Sequence, residues 1–208
     1  MTLNRRGVLL ALSSPSGAGK TSVARSLLAQ HPHMLTMSTS VTTRSPRPGE
    51  QDGVDYHFKT VSDFMALRDQ GSFLESAEVF GNYYGTLEAP VNASLGAGMD
   101  VLFDVDWQGV QQLRHRMARD LVSIFLLPPS LAVLGERLKS RGQDTAAVIA
   151  DRMSKAQGEI SHWAEYDYVL INDDLPTTIA QVDAILQGER CRRERQINLA
   201  QVVQEMLS

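Results

Sequence analysis

Val8-Leu9-Leu10-Ala11-Leu12-Ser13-Ser14-Pro15-Ser16-Gly17-Ala18-Gly19-Lys20-Thr21-Ser22 decides how this 208-residue chain is read. An apolar run that breaks into a glycine-bearing turn and ends in Lys-Thr reads as a buried strand, a loop and the mouth of a helix. That arrangement cradles nucleotide phosphates. Gly17 and Gly19 let backbone N–H groups turn inward, the helix N-terminus adds partial positive charge, and Lys20 reaches the outer phosphates. Thr21 is placed to ligate Mg²⁺ through its hydroxyl. The candidate phosphate-binding site is therefore Ser14, Pro15, Ser16, Gly17, Ala18, Gly19, Lys20, Thr21 and Ser22. Val23, Ala24, Leu27 and Leu28 then recur at helical spacing, so a helix follows.

Around this stretch the chain is long enough for one sizeable core with a small inserted lobe. Its formal net charge is -4, which gives no electrostatic case for binding long nucleic acid. Cys191 is the only cysteine, so no intrachain disulfide forms and a reducing compartment is expected. Arg5-Arg6 before an apolar run superficially resembles a twin-arginine export signal, but that run is short and leads straight into the glycine loop. No segment approaches the ~18 apolar residues of a membrane span. A soluble, cytoplasmic protein with no membrane or nucleic-acid partner is expected.

Downstream the strand-then-helix alternation repeats, which predicts an α/β fold with a parallel sheet flanked by helices. Val101-Leu102-Phe103-Asp104-Val105-Asp106 is a buried strand ending in acid, and the next helix carries Val110, Leu113 and Met117. Val122-Ser123-Ile124-Phe125-Leu126-Leu127 is another, followed by Ser130 as cap for a helix of Leu131, Leu134 and Leu138. Tyr168-Val169-Leu170-Ile171 is a third, closed by Asn172-Asp173-Asp174 and followed by Ile179, Val182, Ile185 and Leu186 on one helix face. Residues 35–87 have a different texture: short alternating stretches, clustered Tyr and Phe, and turn signals at Pro46, Pro48, Gly49 and Gly53. They read as a small antiparallel lobe with one short helix around Phe64 and Leu67. Residues 189–208 read as a helix through Ile197, Ala200 and Val203. Its Arg190, Arg192, Arg193 and Arg195 form a solvated face, because Glu189 and Glu194 are interleaved.

Three further groups carry chemistry. Arg44-Ser45-Pro46-Arg47 holds two arginines in an extended segment, a fork that suits a phosphate monoester. Glu75 is a carboxylate set in an apolar run. Guanine offers adjacent N1–H and N2–H₂ donors to one carboxylate, whereas adenine offers an acceptor at N1 and nothing at C2. Arg137 and Arg141 share a helix face before a glycine turn, and Arg152 stands on the next helix, as in a lid closing over a triphosphate.

Taken together, the segments 14–22, 40–50, 75–86, Asp104-Val105-Asp106-Trp107-Gln108-Gly109, 137–143 and Asn172-Asp173-Asp174 resemble guanylate kinases. The resemblance implies a three-part enzyme of purine nucleotide metabolism. It has a P-loop NTPase core (residues 1–34, 88–136 and 160–208), a GMP-binding lobe (35–87) and a helical lid (137–159). It implies transfer of the γ-phosphoryl of ATP to GMP with Mg²⁺ as cofactor, and small-molecule substrates only. By the same resemblance, Arg44, Arg47, Tyr56 and Tyr84 hold the GMP phosphate, while Ser40, Glu75, Thr86 and Asp106 read guanine. Asn172 joins the ATP site, and Lys20, Arg44, Arg137, Arg141 and Arg152 form the catalytic cage. Asp104 either helps hold Mg²⁺, directly or through water, or orients Arg44. Ser14 stands where the phosphate-loop pattern has glycine, and little loss is expected because the role there is backbone geometry. A scaffold module of the same fold would lack the loop lysine and the lid arginines, and both are present here.

Overall fold

The computed structural model describes residues 3–140 and 145–208. The opening stretch folds as read: β1 (Leu9–Ser13) is buried throughout, and the turn after it delivers α1 (Lys20–Gln30). The chain continues through β2 (Leu35–Met37), β3 (Val41–Thr42), β4 (His57–Phe58), α2 (Val61–Asp69), β5 (Phe73–Val79), β6 (Asn82–Leu87) and α3 (Glu88–Gly96). It returns through β7 (Asp100–Asp104), α4 (Trp107–Met117), β8 (Leu121–Leu127) and α5 (Leu131–Ser140). It ends with α6 (Ala146–Ile160), β9 (Tyr168–Ile171), α7 (Leu175–Arg190) and α8 (Leu199–Leu207). None of the described helices is long and apolar enough to cross a membrane.

Five strands form a parallel sheet in the order β2-β7-β1-β8-β9. Leu10, Leu12, Leu102 and Ile124 face α1 and α7, while Leu9, Ala11, Phe103 and Phe125 face α3 and α4. A sheet covered on both faces needs apolar residues at successive positions, which is why its strands are written as unbroken apolar runs. Because β1 lies in the middle, the loop after it opens at the carboxyl ends of the strands, where such sheets bind ligands.

The inserted lobe has a second, small core of Val41, Phe64 and Phe73, with Leu67, Tyr83 and Leu87 packed against it. Phe64 stacks on Phe73 at 4.6 Å and on Tyr83 at 5.5 Å, so the short helix is where its aromatic residue required it. Two expectations about this lobe are corrected. Leu35–Met37 pairs in parallel with β7, so it is the edge of the core sheet and the lobe begins after it. The lobe sheet, in the order β4-β3-β6-β5, is mixed rather than antiparallel, since β3 runs parallel to β4. Alternation of side chains reports a strand but not its direction.

The C-terminal stretch is also corrected. α7 stops at Arg190 and α8 starts at Leu199, which leaves Ile197 outside both helices. Arg190 and Arg195 are not a solvated face: they are 7% and 5% exposed. Arg190 pairs at 2.7 Å with Asp100, which is fully buried and also takes Arg5 at 2.6 Å and the Val8 N–H at 2.8 Å. Arg195 lies 3.4 Å from the buried Glu189. Buried acids, Asp100 from a distant strand for Arg190 and Glu189 for Arg195, decide where these arginines go.

Candidate active site

The phosphate loop is a main-chain construction. Gly17 and Gly19 have φ of 98° and 105°, a region that residues with a Cβ avoid. A Cβ on Gly19 would lie 2.2 Å from the Asn172 side-chain nitrogen. Asn172 is buried beneath the loop and donates to the Ala18 carbonyl at 2.6 Å, so it acts on the loop backbone. α1 begins without a side-chain cap and without an acid in its first turn, which leaves its leading N–H groups and dipole to an anion. By contrast, Asp106, Thr145 and Asp174 cap α4, α6 and α7 with their own side chains. Ser14 is not among the residues with positive φ, and its hydroxyl donates to the Pro15 carbonyl at 3.1 Å.

The Lys20 ammonium pairs with the Asp104 carboxylate at the end of β7. Asp104 therefore meets the loop lysine, while Arg44 bonds Glu50. Thr21, next in sequence, is exposed on the first turn of α1. Among the described residues no group of three or more His, Cys, Asp or Glu side chains could hold a metal by itself. One hydroxyl and one carboxylate fit Mg²⁺, which keeps most of its waters and is bound largely through substrate phosphates.

On the acceptor side, Ser40, Thr86 and Glu75 form a chain. Thr86 donates its hydroxyl to Glu75 at 2.7 Å, and Ser40 lies 3.1 Å from the Thr86 oxygen. A threonine has one hydroxyl proton, so Ser40 is the donor to Thr86. Glu75 is 8% exposed, and burial pushes its carboxyl above the usual range, opposed by the bond from Thr86 and assisted by the charge of Asp106. Asp106 caps α4 by accepting the Gly109 N–H at 2.9 Å. Arg44 makes two bonds to Glu50, at 3.0 and 2.8 Å, and its guanidinium lies 5.4 Å from the Tyr56 ring. Tyr56 and Tyr84 meet edge to face at 6.1 Å, which brings both hydroxyl-bearing rings to Arg44. Arg47 is exposed, and its main-chain N–H, rather than its guanidinium, joins the cluster by donating to Glu50 at 2.7 Å.

Of the lid residues, Arg137 on α5 donates to the Asn172 carbonyl at 3.0 Å, Arg152 lies on α6, and Arg141 lies outside the described residues. Leu134 and Leu138 of α5 press against Gly17, within 3.0–3.2 Å of where its Cβ would stand, so α5 rests on the phosphate loop. The far end of α6 is anchored to the start of α4, where His162 stacks on Trp107 at 3.7 Å.

Sequence reasoning assigned no role to Glu50, Glu159 or Tyr166. Glu50 follows Arg44 across a proline-glycine turn, a local signal of a charge pair that went unused. It holds Arg44 strongly protonated, and its own carboxyl is pulled below the usual range by Arg44 and by the Arg47 N–H. Glu159, on the lid helix, has its carboxyl raised by burial, with the field of Lys20 acting against that shift. The Tyr166 hydroxyl is buried, and burial pushes its pKa up to about 12, opposed by the nearby Ser13 hydroxyl. Nothing local in the sequence marks either of these two.

The family model described as guanylate kinase matches residues 6–189. A guanylate kinase of Rhodospirillum rubrum is 58% identical over 202 residues, covering 97% of this chain and 92% of the relative. That of Paramagnetospirillum magneticum is 53% identical over 205 residues, covering 99% and 95%. The crystal structure of guanylate kinase from Anaplasma phagocytophilum superposes with a TM-score of 0.78 at 36% identity, over 99% of this chain and 98% of that one. With a phosphate loop, a carboxylate-lined acceptor lobe and these relatives along nearly its whole length, the chain belongs to the guanylate kinase family.

Proposed function

We infer that the chain transfers the γ-phosphoryl group of ATP to GMP, giving ADP and GDP, with the residues above in the following roles. The observation that carries the choice of acceptor is Glu75, a buried carboxylate whose one described partner, Thr86, leaves acceptor capacity for guanine N1–H and N2–H₂. A purine lacking those donors would leave the carboxylate unpaired in a desolvated site, so recognition and rejection come from the same group. Asp106 and Ser40 complete the base site. Arg44, steered by Glu50 and flanked by Tyr56 and Tyr84, takes the GMP phosphate, with Arg47 closing over it from outside.

Residues 14–22 take the ATP phosphates on main-chain N–H groups, braced from below by Asn172. Thr21 and Asp104 would hold Mg²⁺, which supplies neutralisation of phosphate charge when bound. Phosphoryl transfer of this kind depends on positioning and charge more than on a base. Lys20, Arg44, Arg137, Arg141 and Arg152 form the cationic cage, and residues 137–159 act as its lid over the core and acceptor lobe. The test is a coupled assay with ATP and GMP, AMP, CMP, UMP or dTMP. GMP should exceed each of the others by at least about 10³-fold in kcat/KM. Comparable turnover of AMP would overturn the assignment of Glu75.

A further inference from the structure

Gln112, on α4, presents its amide to the main chain of Ser76 in β5. Its Oε1 accepts the Ser76 N–H at 2.9 Å, and its Nε2 donates to the Ser76 carbonyl at 3.2 Å. β5 is the outer strand of the lobe sheet, with main-chain groups on its far side left unpaired by the ladder. A glutamine amide here supplies the donor and acceptor that a neighbouring strand would supply. The contact also ties a core helix to the inserted lobe.

The strand it grips is the joint between the two hydrophobic cores. Phe73 belongs to the lobe cluster and Leu74 to the core cluster, and the pairing of β5 with β6 shifts register between Phe73 and Glu75. Such an irregularity re-aims the side chains beside it and leaves their position loosely fixed by the ladder. Glu75 is the residue so affected, and Ser76 is its neighbour. α4 carries Asp106 at its own N-cap, and the charge of Asp106 acts on the Glu75 carboxyl. One helix thus bears one carboxylate of the base site directly and grips the main chain next to the other.

We propose that Gln112 is a positioning residue for guanine recognition: its amide clip on Ser76 fixes Glu75 relative to Asp106, so that both carboxylates meet the base in one set geometry. The proposal rests on the reading of Glu75 given above. Without the clip, β5 keeps its ladder to β6 and Leu74 keeps its seat in the core, so the protein folds while Glu75 loses its alignment.

The test compares kcat/KM for GMP and IMP, because hypoxanthine keeps N1–H and lacks the 2-amino group. Their ratio reports how well a carboxylate is aligned to two donors. Gln112→Met keeps length and volume and removes both bonds. It should lower the GMP to IMP ratio about 10-fold, mostly through the KM for GMP, and leave the KM for ATP within about twofold. Equal losses on the two acceptors, or a lowered Tm with the ratio intact, would make Gln112 merely structural and overturn the proposal. A second readout does not depend on the variant folding. In the wild-type protein the Ser76 amide should exchange with deuterium at least about 10-fold more slowly than a free edge-strand N–H. Free exchange there would remove the clip itself. Glu75→Gln separates the two layers of the argument: if it leaves the GMP to IMP ratio unchanged, the reading of Glu75 fails and takes the proposal with it. If it moves the ratio and Gln112→Met does not, only the role of Gln112 fails.

Discussion

In the phosphate loop the groups proposed to face a ligand are main-chain N–H donors drawn from the consecutive residues 14–22. In the proposed base site they are side chains of Ser40, Glu75, Thr86 and Asp106, collected from four separate segments. The loop needs residues that permit a backbone path, which Gly17 and Gly19 do with φ near 100°. The base site needs residues that keep polar atoms satisfied while they wait, which Ser40, Thr86 and Glu75 do by bonding one another. The difference teaches where each site is vulnerable: the first to anything that blocks the path or removes Lys20, the second to the loss of a single oxygen.

The largest effect should come from the one side-chain charge the loop depends on. Lys20→Ala should lower kcat by about 10³-fold or more, since charge stabilisation of the transferred group is lost outright. The fold, followed by circular dichroism, and the affinity for GMP should stay nearly as they are, because Lys20 pairs with Asp104 and belongs to neither core cluster. Turnover within tenfold of wild type would mean that the cage is built elsewhere.

On the other side of the comparison, Glu75→Gln keeps the volume and exchanges one acceptor oxygen for a donor facing a donor. At a desolvated site this costs about 2–4 kcal/mol, roughly 30- to 1,000-fold in kcat/KM for GMP, with the parameters for ATP unmoved. The raised pKa adds a signature of its own. Burial favours the protonated Glu75 in the folded state, so the folded protein binds more protons than the unfolded chain between the unfolded value and the raised one. Stability from this group is full below that window and is lost as pH rises through it. Glu75→Gln removes the ionisation and should raise Tm at pH 7 relative to wild type while activity falls. Guanine needs the ionised form, so kcat/KM for GMP in the wild type should decline as pH drops through the raised pKa, and the variant should lack that limb. A variant that loses both stability and activity at pH 7 would show Glu75 to be a structural residue.

Legibility in the sequence followed the same division. The loop, the strands and the helix faces could be read because their signals are local: glycine spacing, apolar runs, three- and four-residue recurrence. The base site was legible only as residue types with matching chemistry, and its chain from Ser40 to Glu75 exists because β6 lies between the segments that carry them. What escaped reading was set at long range. Leu35–Met37 is a strand of three residues whose partner β7 lies beyond the whole lobe. The burial of Arg190 is decided by Asp100 in a distant strand, whereas the adjacent glutamates alone imply exposure. Gln112 looks like any polar residue on an amphipathic helix until β5 is placed beside it.

The smallest effect sharpens the comparison most, because it concerns a side chain in the site built from main chain. The phosphate-loop pattern has glycine where this chain has Ser14, and the two readings of that departure differ in sign. If the glycine were needed for its conformational freedom, Ser14 would be strained and Ser14→Gly would raise activity. The backbone there does not visit positive φ, in contrast to Gly17 and Gly19, and the Ser14 hydroxyl has found the Pro15 carbonyl at 3.1 Å. Ser14→Gly should therefore leave kcat/KM for ATP and for GMP within about twofold. It should lower stability by about 0.5–1 kcal/mol, since glycine gives the unfolded chain more freedom to lose. Gly19→Ala is the matching control: the added Cβ meets Asn172 at 2.2 Å and demands a left-handed backbone, so the loop itself must move. Denaturant melts and steady-state kinetics on the pair decide the matter. A gain above about threefold in Ser14→Gly would mean that a side chain, and not only the path of the main chain, shapes the phosphate site.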